Sequence, residues 1–101
     1  MIKDEILEIL EQYALQIKSK FSLRMVLLMK NYSSEQDAHF ETIVVVDHLK
    51  QDFLEAQDLL LEVAAKLDPR IEPTLVEMDR IDPTGFFDEI KKKGIVAYWR
   101  L

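Results

Sequence analysis

The run from Arg24 to Asp47, RMVLLMKNYSSEQDAHFETIVVVD, decides the fold of this chain. Met25 to Met29 and Thr42 to Val46 are apolar stretches of strand length, rich in β-branched or long aliphatic residues, and a polar connection joins them. A strand that is apolar at nearly every position is one covered on both faces, so the pair reads as a buried hairpin with helices above and below it. The connection, Lys30 to His39, holds most of the chain's loop chemistry, and a functional site is expected beside it.

On the N-terminal side, Ile2, Ile6, Ile9, Leu10, Tyr13 and Ile17 recur at steps of three and four. That spacing predicts an amphipathic helix lying on one side of the sheet. Asp4, Glu5 and Glu8 occupy its first turns, where the helix dipole favours negative charge, and Lys18 and Lys20 follow at the other end. On the C-terminal side, Gln51 to Leu67 predicts a second helix with Phe53, Ala56, Leu60, Val63, Ala64 and Leu67 in a stripe that Leu59 and Leu61 widen. Asp68-Pro69 stops it, because proline lacks the next donor and its predecessor avoids helical geometry. A third strand is expected over Pro73 to Met78, and the order strand, helix, strand makes it parallel to the second.

Asp82-Pro83-Thr84-Gly85 reads as a capped helix start, with Phe86, Phe87 and Ile90 as the buried side. Lys91 to Lys93 would complement the negative end of its dipole, and Gly94 would end it in the left-handed conformation. Ile95 to Trp99 reads as a last edge strand. The resulting fold class is α/β: a small mixed sheet, made of an antiparallel hairpin plus one parallel strand and flanked by helices, in a single domain over residues 1–101.

Composition narrows the function classes. A length of 101 residues suits one domain, and a formal net charge of −6 disfavours binding to duplex nucleic acid through its phosphates. The chain has no cysteine, which excludes disulfides, thiolate catalysis and cysteine zinc sites and fits a reducing, cytoplasmic setting. No apolar run is long enough for a signal peptide or a membrane span. Ser-His-Asp, glycine-rich nucleotide and two-histidine helix motifs are all missing. His48 beside Asp47 invites an acid-base reading, yet a turn or capping role is the ordinary one for such a pair. Phe86, Phe87, Tyr98 and Trp99 have packing as their ordinary role.

The order helix, strand, loop, strand, helix, strand, helix, apolar tail resembles the minimal nucleotidyltransferase domain of the polymerase β superfamily over Ile6 to Tyr98. Ile71-Glu72-Pro73, then Pro83 to Phe87, then DEIKKKGIVAY from Asp88 to Tyr98 carry the closing part of that resemblance. Members of the family have Gly-Ser after the first strand and Asp-x-Asp opening the second. Here Lys30 and Asn31 stand at the first motif, and His39 and Glu41 stand at the second. Glu72 resembles the third family carboxylate by position.

Each departure has a chemical meaning. A glycine lets the backbone approach a triphosphate, whereas Lys30 fills that space and brings a cation. The two aspartates would hold magnesium ions for an in-line displacement, and a neutral imidazole at His39 suits later transition metals better. The resemblance therefore implies a domain that has kept the scaffold and lost its metal and phosphate groups. It would act as a binding or regulatory module, without catalytic residues and without a cofactor, Lys30 and Asn31 marking a vestigial nucleotide site. Two further readings follow from the same resemblance. One is an active transferase of nucleotidyl groups to a small molecule or protein, with magnesium on His39, Glu41 and Glu72 and Lys30 on the phosphates of an undetermined nucleotide. The other is an antitoxin-like partner of a helical protein. The wide apolar surface of the second helix and the Tyr98-Trp99 tail add the expectation of a homodimer through Leu59, Leu61 or the edge from Ile95 to Trp99.

Overall fold

Two strands that are apolar on both sides have to be sandwiched, and the computed structural model places helices on each face of the sheet they form. It describes residues 3–30 and 38–100, without the side chains of residues 83 and 91. In chain order the elements are α1 (Lys3–Ile17), β1 (Leu23–Met29), β2 (Phe40–Val46), α2 (Phe53–Leu67), β3 (Ile71–Glu77), α3 (Pro83–Lys93) and β4 (Gly94–Trp99), with one 3-10 turn, Met78–Arg80, before α3. The sheet order is β3-β2-β1-β4; β2 and β3 are parallel, while β1 pairs antiparallel with both β2 and β4. This is an α/β fold with a four-stranded mixed sheet. No helix among the described residues is long and apolar enough to cross a membrane.

Strand alternation divides the core in two. One face carries Val26, Leu28, Phe40, Val44, Val46, Ile71 and Leu75, which pack against Ile6, Leu10, Tyr13, Ala14 and Ile17 of α1 and Ala56, Leu60, Val63 and Ala64 of α2. The other carries Met25, Leu27 and Val45 beneath Ile90, Phe86 and Phe87 of α3. Ile2 lies outside the described residues; among those described, the helical stripes sit where the sequence periodicity puts them, except that Phe53, at the start of α2, is exposed. The Tyr13 hydroxyl, pushed up in pKa by burial, donates to the Leu60 carbonyl at 2.8 Å and ties α1 to α2.

Local chemistry sets the ends of the helices. Asp52 caps α2 by accepting from the Leu54 N–H at 3.1 Å, so the helix begins two residues later than Gln51. Asp82 caps α3 through the Thr84 N–H, with Pro83 in the first turn. Gly94 corrects the sequence reading. Its φ and ψ are −128° and 159°, so α3 runs straight into extended backbone without a left-handed residue. Space is tight there: a Cβ would lie 3.2 Å from the Ile90 carbonyl oxygen and 3.4 Å from Leu27 Cδ2.

The strands are longer at their starts than their apolar runs, because Leu23, Phe40 and Ile71 also turn inward. β1 pairs irregularly at two places. Arg24 falls between the Leu23↔Val46 and Met25↔Val45 pairs, and Ala97 falls between the pairs that Tyr98 and Val96 make with Val26 and Leu27. Near both irregularities, Asp47 just past β2 collects the polar groups at that end of the sheet. It accepts from Ser22 Oγ at 2.8 Å and Arg24 Nε at 2.9 Å, and pairs with Arg100 as well. Burial alone would raise the Asp47 pKa, but the hydrogen bonds of Arg24, Ser22 and Arg100 and the Arg24 charge outweigh it and hold the carboxyl below its ordinary value.

The two outer strands end differently. β3 holds Pro73, which has no N–H to offer, and Gln57 of α2 closes its open side: Gln57 Nε2 donates to the Pro73 carbonyl at 2.8 Å, and Gln57 Oε1 accepts from the Leu75 N–H at 3.1 Å. β4 instead presents Val96 and Trp99 to solvent, 52% and 60% exposed. Leu61 is exposed on α2, while Leu59 packs partly buried against the core.

Two outcomes follow. Gln57→Leu leaves the Pro73 carbonyl and Leu75 N–H without their side-chain partner and lowers stability in urea by about 1 kcal/mol, with faster hydrogen exchange at Leu75. The Asp47 contribution is complete above the unfolded-state value of about 3.9 and fades as pH falls through the lower folded value. Asp47→Asn is therefore less stable than the parent at neutral pH, and the gap between their denaturation midpoints closes on acidification below about pH 4; a gap constant over that range contradicts the assignment.

Candidate functional site

The parallel register of β2 and β3 builds the site. It aligns Phe40 with Ile71 and Glu41 with Glu72, and because Phe40 and Ile71 turn into the core, Glu41 and Glu72 turn out on the opposite face. His39 precedes β2 on the same side, and its Nδ1 lies 2.9 Å from Glu72 Oε1. The structure thus brings His39, Glu41 and Glu72 to one end of the sheet. His39 and Glu72 are each 58% exposed, so water reaches both.

What this arrangement can do follows from the contact. A carboxylate on Nδ1 favours the tautomer with the proton there, which turns Nε2 outward as the free acceptor. Glu72 therefore orients an imidazole and commits one oxygen to it. A magnesium site needs converging hard oxygens in near-octahedral array. Among the described residues, no three or more His, Cys, Asp or Glu side chains form a group able to hold a metal ion.

Lys30 follows β1 at the same end of the sheet and is exposed. Its N–H donates to the Lys93 carbonyl at 2.7 Å. With Met29, Lys92 and Lys93 it borders a depression of about 450 Å³. Asn31, the other residue at the vestigial nucleotide position, lies outside the described residues, as does the rest of the connection over residues 31–37.

The other candidates are elsewhere. His48 follows β2 at the far end of the sheet, where it lines a small polar depression with Ser19, Lys20 and Gln51. The Asp47 carboxylate faces Ser22, Arg24 and Arg100, an ion-paired arrangement that serves the strand ends. Phe86 and Phe87 meet edge to face at 5.6 Å, and Phe87 joins Met25, Leu27, Ile90, Gly94, Val96 and Trp99 around an apolar cleft of about 560 Å³. Among the described residues, its lining side chains are apolar, with no acid or base.

Sequence reasoning missed two groupings. Arg24 and Arg100 meet at Asp47 although 53 residues separate Asp47 from Arg100, and no local pattern encodes that. Lys30 meets the end of α3 because β1 pairs with β4, with Met29 opposite Gly94; the KKKG run gave the charge but not its neighbour.

No protein-family profile matches the chain, and no curated protein is significantly similar to it.

Proposed function

We propose that this chain is a nucleotidyltransferase-like domain that has kept the scaffold and lost the metal and phosphate groups of catalysis, and that it works as a binding or regulatory module. The resemblance in element order and closing pattern supports the family. One observation supports the loss of activity: His39 stands at the position of a metal-holding aspartate, and Glu72 is bonded to its imidazole at 2.9 Å. Two-metal phosphoryl chemistry needs carboxylate oxygens directed at the metals, and here one of them is directed at a ring nitrogen. Glu41 keeps a carboxylate at the second position, so the chain retains part of the constellation without the whole.

The test is nucleotidyl transfer. Purified protein incubated with each of the four labelled nucleoside triphosphates and magnesium gives no labelled protein and no released pyrophosphate above the blank. Label that appears with the parent and vanishes in Glu41→Gln sinks the inactive reading and restores the enzyme.

Self-association is a second proposal, favoured by the contrast between the two sheet edges. Gln57 closes β3, whereas Val96 and Trp99 on β4 lie exposed beside the apolar cleft. An open, apolar edge strand invites a pairing strand, and a twofold homodimer is the commonest closed assembly. Light scattering at micromolar concentrations gives a dimer mass that Trp99→Ala lowers without unfolding the protein. A monomer mass at every concentration removes the proposal, as does a dimer that only Leu61→Glu disrupts.

A further inference from the structure

We propose that β4 pairs with the β4 of a second copy across a twofold axis, in the register that sets Val96 opposite the partner's Trp99, so that each indole completes the wall of the other copy's apolar cleft. The proposal deepens the self-association reading by naming the shared site and its register, and so rests on it.

Coverage of the sheet is the first argument. Four strands make a sheet about 19 Å wide, and one helix covers about 10 Å of it. α1 and α2 together cover one face, whereas among the described residues α3 alone lies on the other. The strip that α3 leaves over is the apolar cleft. Met25 and Leu27 of β1 with Gly94, Val96 and Trp99 of β4 form its floor, and Phe87 and Ile90 of α3 form one wall. Opposite that wall the floor runs out at the edge of β4, where Val96 and Trp99 are both more than half exposed. A groove walled on one side and ending at an unpaired strand is completed by whatever pairs with that strand.

Register is the second argument. The Lys93 carbonyl accepts from the Lys30 N–H and the Arg100 N–H donates to the Arg24 carbonyl, so the backbone at both ends of β4 is anchored on β1. Alternation counted inward from these two contacts turns the N–H and C=O of Val96 and of Trp99 to the open edge. The irregularity at Ala97 spaces these two residues three apart where a regular strand would space them two. An antiparallel second β4 matches both of them at once only when Val96 meets Trp99 and Trp99 meets Val96, with Ala97 and Tyr98 between. Pairing Val96 with Val96 or Trp99 with Trp99 leaves the other residue without an outward-facing partner. A twofold axis normal to the sheet keeps the same face of both copies on one side, so Val96 and the partner's Trp99 stand as cross-strand neighbours on the cleft floor. A β-branched residue beside an aromatic one is a favourable pair of this kind. Arg100, which comes opposite Ile95 in this register, already has its guanidinium paired with Asp47. β4 is six residues long, so the interface is small and the dimer exchanges with monomer as concentration changes.

Trp99 is the chain's one tryptophan, so its emission reports the contact directly. The parent is followed from the low to the high micromolar range by light scattering and by tryptophan emission, and a mixture of labelled and unlabelled copies by isotope-filtered NMR. As the mass doubles, the emission moves to shorter wavelength and acrylamide quenching falls over the same concentrations. Exchange at the Val96 and Trp99 amides slows, and the filtered spectra show the Trp99 indole against the Val96 methyls of the other copy. Val96→Lys, which sets a charge opposite the partner's Trp99, stays monomeric with the emission of the diluted parent; where that variant does not fold, the measurements on the parent decide alone. A dimer whose Trp99 is quenched as freely as in the monomer, or one without Val96 to Trp99 contacts between copies, overturns the proposal and leaves self-association to another surface. A Val96→Lys dimer with the parent's shift in emission overturns it as well. A monomer mass at every concentration overturns both this proposal and self-association, and leaves the edge to a strand of some other chain.

Discussion

The pairing of β1 with β2 at the centre of the sheet is the constraint from which the rest of the molecule follows. Both strands use both of their backbone edges, β1 toward β2 and β4, β2 toward β1 and β3. Both also point apolar side chains to each face, so neither face can stay wet: α1 and α2 cover one and α3 the other. Once the central pair is fixed, the outer strands inherit their registers. Parallel β3 then brings Glu72 to Glu41, and antiparallel β4 brings the end of α3 to Lys30. Backbone pairing thus gathers these candidate residues along one end of the sheet.

Much of this was legible in the sequence because it is local. The apolar runs of β1 and β2, the stripe of α1 and the Asp82-Pro83 start of α3 each carry their cause within a few residues. The mixed sheet and its parallel third strand followed from element order. What was not legible depends on partners distant in the chain. The interruptions at Arg24 and Ala97, the gathering of Arg24 and Arg100 on Asp47, and the closing of β3 by Gln57 need the tertiary register before they can be seen. Gly94 is instructive: the sequence suggested a left-handed terminator, yet its backbone is extended and a Cβ there would crowd the Ile90 carbonyl. A glycine at a helix end has two physical uses, and spacing alone does not separate them.

The candidate site divides in the same way. Residue types at His39, Glu41 and Glu72 were visible in the sequence. Whether Glu72 joined them depended on the β2–β3 register, and whether it would face a metal or an imidazole depended on a single side-chain contact. That contact bears most on function. A carboxylate that orients a histidine fits a site that presents a nitrogen, and it fits poorly with one that presents a ring of oxygens.

The account turns on that distinction, so the most direct test is metal binding at His39, Glu41 and Glu72. Calorimetric titration of the purified protein with magnesium and with zinc compares a hard ion with one that accepts imidazole. The account predicts no magnesium binding at millimolar concentration, with any zinc binding lost in His39→Ala and weakened by acidification, since imidazole must be neutral to ligate. Magnesium binding at submillimolar concentration, abolished by Glu41→Gln and indifferent to His39→Ala, would contradict it.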